Sequence, residues 1–117
     1  MADLNEQMSA FVAEIPHVYL DMCWLMVISP TVAKRTLHEW LETVPGNKIM
    51  AFGGDYRIVE GAYAHSRLAR RVVAEVLAEK VAEGYCSEQE AQTLARRLLH
   101  DNAYQLFRLA NRARRAV

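Results

Sequence analysis

At 117 residues, with 52% hydrophobic and 24% charged side chains, the chain has the make-up of one globular domain, residues 1–117, with enough apolar material for a real core. Fourteen Lys and Arg balance fourteen Asp and Glu, which excludes a global field directed at nucleic acid or anionic membrane. Two cysteines, Cys23 and Cys86, stand far apart in no metal-ligand spacing and read as reduced thiols of a cytoplasmic protein, and the longest apolar run, Met22 to Ile28, is too short to span a bilayer.

In chain order, Ala2 to Glu14 carries Leu4, Met8, Phe11 and Val12, with Ile15 just beyond, at helical spacing, with Asp3 suited to cap the helix. The acidic residues of this stretch interrupt it too often for a signal peptide. Pro16 stops the helix, and His17-Val18-Tyr19-Leu20 predicts a buried strand ending at Asp21. Met22 to Ile28 is apolar and reads either as more strand or as a loop packed inward. Ser29-Pro30 opens a helix, Ser as the cap and Pro in the first turn, with Val32, Leu37, Trp40 and Leu41 inward. Pro45-Gly46-Asn47 is turn chemistry, after which Lys48 to Phe52 predicts a second strand that ends in Gly53, Gly54 and Asp55. Strand, helix, turn and strand in this order predict a right-handed parallel βαβ unit, with Asp21 and Asp55 at the same edge of the sheet. Asp55 reads locally in two ways, as a cap for the following helix or as a functional carboxylate.

The pattern after Asp55 is helical. An irregular link, Tyr56 to Gly61, leads to a long helix from about Ala62 to Glu83, whose Leu68, Val72 and Val76 form one buried ridge and Ala69, Val73, Leu77 and Val81 the next. Gly84 is its natural stop. Ser87 to Glu90 is a capping box that opens a helix with Leu94, Leu98 and Leu99 inward. Asp101-Asn102 is expected to interrupt it, Asn102 capping a last helix that buries Ala103, Leu106, Phe107 and Ala110. The late arginines, Arg108 to Arg115, suit the dipole of that last helix better than a nucleic-acid interface. The fold class is helix-rich α/β with two convincing parallel strands and four to five helices. Two strands have edges and a face that so few helices cannot easily cover.

Three stretches together resemble the amidohydrolase superfamily, closest to the amidohydrolase-2 group that includes relatives of uronate isomerase. They are Val18 to Trp24, Leu41 to Ile49 running on to Phe52-Gly53-Gly54-Asp55-Tyr56, and the ending Asp101-Asn102-Ala103-Tyr104-Gln105-Leu106-Phe107-Arg108-Leu109. The resemblance covers nearly the whole chain and implies a piece of a metal-dependent (β/α)8 TIM barrel, the strand before Asp21 standing as barrel strand seven and the strand before Asp55 as strand eight. It implies that Asp55 is the catalytic, metal-binding aspartate that shuttles a proton to or from the attacking water, and that Asp21 and Trp24 line the substrate pocket. It assigns no role to Glu60, Tyr63 or His65, which follow strand eight. The family's His-x-His pair and its ligands on strands four to six have no counterpart, and a full barrel needs about 250 residues. Asp55 alone cannot hold zinc. His17, His38 and His100 fall away from it and read as surface or interface residues, so that only His65 falls near it.

The expectation is therefore the C-terminal segment of a metal-dependent hydrolase of small molecules, or of a related decarboxylase or isomerase. The complete site takes a divalent ion, zinc or manganese, and the N-terminal part of the barrel is the partner that supplies the remaining ligands. The alternative is a non-catalytic scaffold that keeps the fold and self-associates as a homo-oligomer through its open strand edges. Neither reading involves nucleic acid or a membrane.

Overall fold

Local turn chemistry brings two short strands together in parallel, and the helices then close around them. The computed structural model describes residues 4–115, so the expected cap Asp3 lies outside the described residues. Helix α1 (Leu4–Glu14) leads to strand β1 (Leu20–Asp21), followed by the short helix α2 (Leu25–Ile28) and by α3 (Pro30–Thr43). A 3-10 turn, Gly46–Lys48, delivers strand β2 (Ile49–Met50). The long α4 (Val59–Ala82), α5 (Glu88–Arg96), α6 (Asn102–Leu106) and α7 (Leu109–Arg115) complete the chain. No described helix is long and apolar enough to cross a membrane.

The expected parallel pairing is present, with Leu20 opposite Ile49 and Asp21 opposite Met50, and the Met22 amide extends it by donating to the Met50 carbonyl at 2.9 Å. Regular pairing is much shorter than the apolar runs suggest. The ambiguous stretch Met22–Ile28 is a turn followed by α2. Helix α3 starts as its sequence dictates: Pro30 occupies the first turn and the Ser29 hydroxyl accepts from the Val32 amide. It ends at Val44, which the following proline holds extended. Lys48 then reaches back across the sheet, its ammonium donating to the Val12 and Ile15 carbonyls at 2.9 and 2.7 Å. Those are the carbonyls at the end of α1, where a cation satisfies both hydrogen bonding and the helix dipole.

The core is built from Leu20, Met22 and Ile49 of the sheet region against Leu37 and Trp40 of α3 and the Ala69, Val73, Val76 and Leu77 face of α4. Gly84, at φ 78°, stops α4 in the expected way: its amide bonds to the Val81 carbonyl, and the Tyr85 amide to that of Lys80. The capping box is also formed, the Ser87 hydroxyl accepting from the Glu90 amide and the Glu90 carboxylate from the Ser87 amide.

The end of the chain departs from expectation. Asp101-Asn102 does not interrupt the helix. Residues 97–101 form a π turn that joins α5 to α6 without a break. There the Asn102 amide bonds to the Arg97 carbonyl rather than to that of Leu98. The carbonyl so released, Leu98 O, accepts from the Ala51 amide at 2.9 Å, just beyond β2. Asn102 does not cap a helix: it is buried, and its side-chain amide donates to the Gly46 and Ile49 carbonyls at 2.6 and 2.8 Å. One π turn thus satisfies the outer edge of β2, which the sequence left open. Phe107 and Ala110, expected inward, are exposed: Phe107 is the C-cap residue at the end of α6, and Ala110 lies on α7 beyond Arg108, whose φ of 51° breaks the helical phase. Met8 and Phe11 on α1 are exposed as well, while Val12 is fully buried.

A charged seam joins α3 to α4. Glu79 accepts from Lys34 at 2.7 Å and lies 2.6 Å from His38 Nε2, and Glu42 pairs with Lys80. Hydrogen bonds from Lys34, then His38, lower the Glu79 carboxyl, and Lys80 lowers that of Glu42. A depressed folded-state value means stability that is fully present above the unfolded glutamate pKa of about 4.3 and is lost as pH falls through the lower folded values. The urea midpoint is therefore expected to drop as pH falls below about 4.3, less steeply in Glu79→Gln than in the wild type. Equal slopes would remove Glu79 from this account.

Candidate functional site

The two strands run in the same direction, so the residues that follow them gather at one edge. Asp21 ends β1. Its carboxylate accepts from the Cys23 amide at 2.8 Å, an Asx turn that folds the chain back at once. The Leu25 amide bonds to the Met22 carbonyl at 2.9 Å, closing a second turn whose third residue, Trp24, has φ 63° and ψ −16°. Turns of that shape call for glycine or asparagine at this position, and tryptophan there costs on the order of 1–2 kcal/mol. That strain places an indole on the rim of the strand ends, and strain held at a rim is the kind of local rule-breaking that marks functional positions.

The double glycine after β2 has a separate use at each residue. A Cβ on Gly53 would stand 3.0 Å from Asp21 Oδ2, so a side chain here would require the Asp21 carboxylate to shift by a few tenths of an ångström. A Cβ on Gly54 would collide with the Tyr56 ring, which folds back across it. Tyr56 then packs with Trp24 at 5.2 Å and His65 at 5.0 Å between ring centroids, and lies nearly parallel to Phe52 at 6.2 Å. Trp24 meets His65 edge-on at 5.7 Å. Four rings, Trp24 from the loop after β1, Phe52 and Tyr56 from the link between β2 and α4, and His65 from the second turn of α4, thus form one wall. His65 Nδ1 is buried in it without a hydrogen-bond partner.

Beside this wall the field is negative. Asp55 is exposed. Partial burial raises the Cys23 thiol first, and the charges of Asp21 and then Asp55 raise it further, so it stays a neutral thiol rather than an activated nucleophile. Burial, then Cys23, raises the Tyr56 phenol. The ion pairs found among the described residues all lie elsewhere, so neither aspartate has one.

Of the residues singled out in the sequence, Asp21 holds the Cys23 amide, the charge of Asp55 also acts on the Cys23 thiol, and Trp24 and His65 meet through the rings. Glu60 and Tyr63 do not enter the cluster: Glu60 is exposed in the first turn of α4, and the Tyr63 hydroxyl accepts from Arg67 at 3.1 Å. His17 is exposed, His38 belongs to the α3–α4 seam and His100 is 2.8 Å from Asp101 on the far helix. Cys23 carried a signal that sequence reading passed over: it stands two residues after an aspartate, the spacing of an Asx turn, and so had to share the mouth with Asp21. Among the described residues no three His, Cys, Asp or Glu side chains come together in a way that could hold a metal ion. The described donor set therefore does not fit a metal without further ligands. Comparison with protein-family models, with curated proteins and with solved structures finds no match to this chain.

Proposed function

We propose that the chain is the C-terminal portion of an amidohydrolase-like (β/α)8 barrel, and that Asp55 is its acid–base aspartate in the hydrolysis, or a related decarboxylation or isomerisation, of a small molecule. The observation that carries this reading is the position of Asp55: an exposed carboxylate outside any ion pair among the described residues, five residues beyond the carboxyl end of the parallel strand β2 and on the same side as Asp21 and the aromatic wall. Parallel α/β folds put their chemistry at that edge. Proton transfer at the Asp55 carboxylate is the part of the reaction that belongs to this chain. Asp21 and Trp24 form the substrate-facing rim. The zinc or manganese of the family site needs ligands from the remainder of the barrel.

Co-expression with an upstream barrel segment that carries a His-x-His pair tests this. The expected result is an assembly that binds metal and hydrolyses a member of a small-molecule panel, and whose activity Asp55→Asn abolishes while assembly persists. Restored activity that is indifferent to Asp55→Asn would overturn the assignment.

A second reading, a non-catalytic scaffold that self-associates, is favoured by one specific observation. The outer edge of β2 is already satisfied by Asn102 and the Leu98 carbonyl, as in a domain finished on that side. Strand pairing between copies would then use the β1 edge. A cooperatively folded chain that sediments as a monomer at micromolar concentration would sink this reading.

A further inference from the structure

The groups at the mouth share one property: each seeks a positive partner. The faces of Trp24, Tyr56 and Phe52 carry negative quadrupole density. Asp21 and Asp55 are carboxylates outside any ion pair among the described residues, and their charges both act on Cys23. Arg57, the only cation within two residues of Asp55, is exposed and pairs with neither aspartate. Beneath the rings lies the buried, unpartnered His65 Nδ1, and a buried polar atom without a partner calls for an explanation. In one tautomer of the neutral ring that nitrogen is an acceptor.

From these observations we propose that the mouth binds a planar organic cation bearing N–H donors, of the amidinium or guanidinium class. The cation stacks on the Trp24 indole in the place of the Tyr56 ring. Its N–H groups donate to the aspartates and, once the Tyr56 ring has moved, to His65 Nδ1. Tyr56 is then a displaceable cover. Its ring crosses Gly54, where any side chain would exclude it, and it hangs on the irregular link between β2 and α4. Moving that ring uncovers His65 without disturbing either strand. A neutral ligand of the same shape would keep the stacking but lose the charge-assisted hydrogen bonds, which are the stronger part.

This proposal shares the mouth with the hydrolase reading but not its chemistry, and its test needs no upstream segment. The indole cross-peaks of Trp24 and Trp40 in the isolated chain, assigned with Trp24→Phe, are followed by NMR while benzamidine is added, and then its neutral counterpart benzamide. Benzamidine is expected to shift the Trp24 peak saturably and leave Trp40 in place, and benzamide to bind at least about tenfold more weakly. Asp55→Asn and His65→Gln should each weaken benzamidine several-fold, with the unmoved Trp40 peak reporting an intact core. Raising the salt concentration should weaken it further. Equal response to benzamide, or no saturable response to benzamidine, would overturn the proposal. So would saturable binding of zinc alone with none of benzamidine, which would at the same time speak for the hydrolase reading.

Discussion

Asn102→Ala is expected to destabilise the chain by about 2–4 kcal/mol, read as a shift of the guanidinium chloride midpoint with unchanged slope. The side chain is small, so lost packing contributes little. What counts is that its amide donates to two backbone carbonyls, Gly46 at 2.6 Å and Ile49 at 2.8 Å. Both acceptors lie in the stretch that turns into β2. Alanine leaves both without that donor: the buried Ile49 acceptor then costs about 1–3 kcal/mol, and the part-buried Gly46 acceptor, beside Arg97, Asp101 and Gln105, costs less. Asn102→Asp separates this account from simple loss of volume. It keeps the shape but presents carboxylate oxygens to two carbonyls, so at neutral pH it should cost more than alanine, and part of the loss should return when the carboxyl is protonated. If Asn102→Ala unfolds within about 0.5 kcal/mol of the wild type, the edge of β2 is held by something else.

The same residue shows where sequence reading stopped short. Asp101-Asn102 looked like cap chemistry, because those side chains compete for backbone hydrogen bonds and end helices. Asn102 stands four residues after the inward Leu98, however, so one more helical turn points it to the core. A polar side chain on an apolar stripe needs a partner there. The π turn that fits it in leaves no mark in the apolar spacing, because it shifts the register within a single turn. The strands were legible as apolar runs and as a parallel pair, since Ser29-Pro30 and Pro45-Gly46 fix the crossover between them. Their short pairing was not, because an apolar run records burial rather than ladder hydrogen bonds. Met22 and Ala51 are buried just outside the paired residues. One helical phase extended across Arg108 puts Ala110 inward, and a single left-handed residue cancels that phase; Phe107 falls one residue past the end of α6, where the helical spacing no longer applies.

At the mouth, legibility follows the same division. The glycine pair and the aspartate after an apolar run placed Asp55, because covalent order alone puts it past a strand end. The meeting of Trp24, Tyr56 and His65 depends on three elements packing together and on a backbone conformation unusual for tryptophan. No spacing in the sequence encodes either. The resemblance to the amidohydrolases named Asp21, Trp24 and Asp55 but was silent on the ring wall, and the charge sign of the mouth emerges only once the fold brings its groups together.

Lys80→Ala is expected to cost about 3 kcal/mol, whereas Lys80→Met stays within about 1 kcal/mol of the wild type. The Lys80 side chain is 2% exposed, runs from α4 toward α3 and ends on Glu42, with the Tyr85 ring 4.8 Å from its ammonium. Its four-carbon stem therefore packs as a hydrophobic side chain would, and methionine keeps nearly all of that volume while alanine leaves a cavity. Desolvating the ammonium offsets much of what its pairing returns, so replacing the charge together with its solvation cost changes little. Removing the other partner is a different matter. Glu42→Ala leaves the buried ammonium with only the Glu83 carboxylate, 4.0 Å away, and the Tyr85 ring, and is expected to be more destabilising than Lys80→Met although Glu42 is 55% exposed. The decisive comparison is the double variant: once Lys80 is methionine, Glu42→Ala should have no measurable further effect, because the group it stranded is gone. Additive losses in that cycle would mean that Glu42 supports α3 by some route other than Lys80.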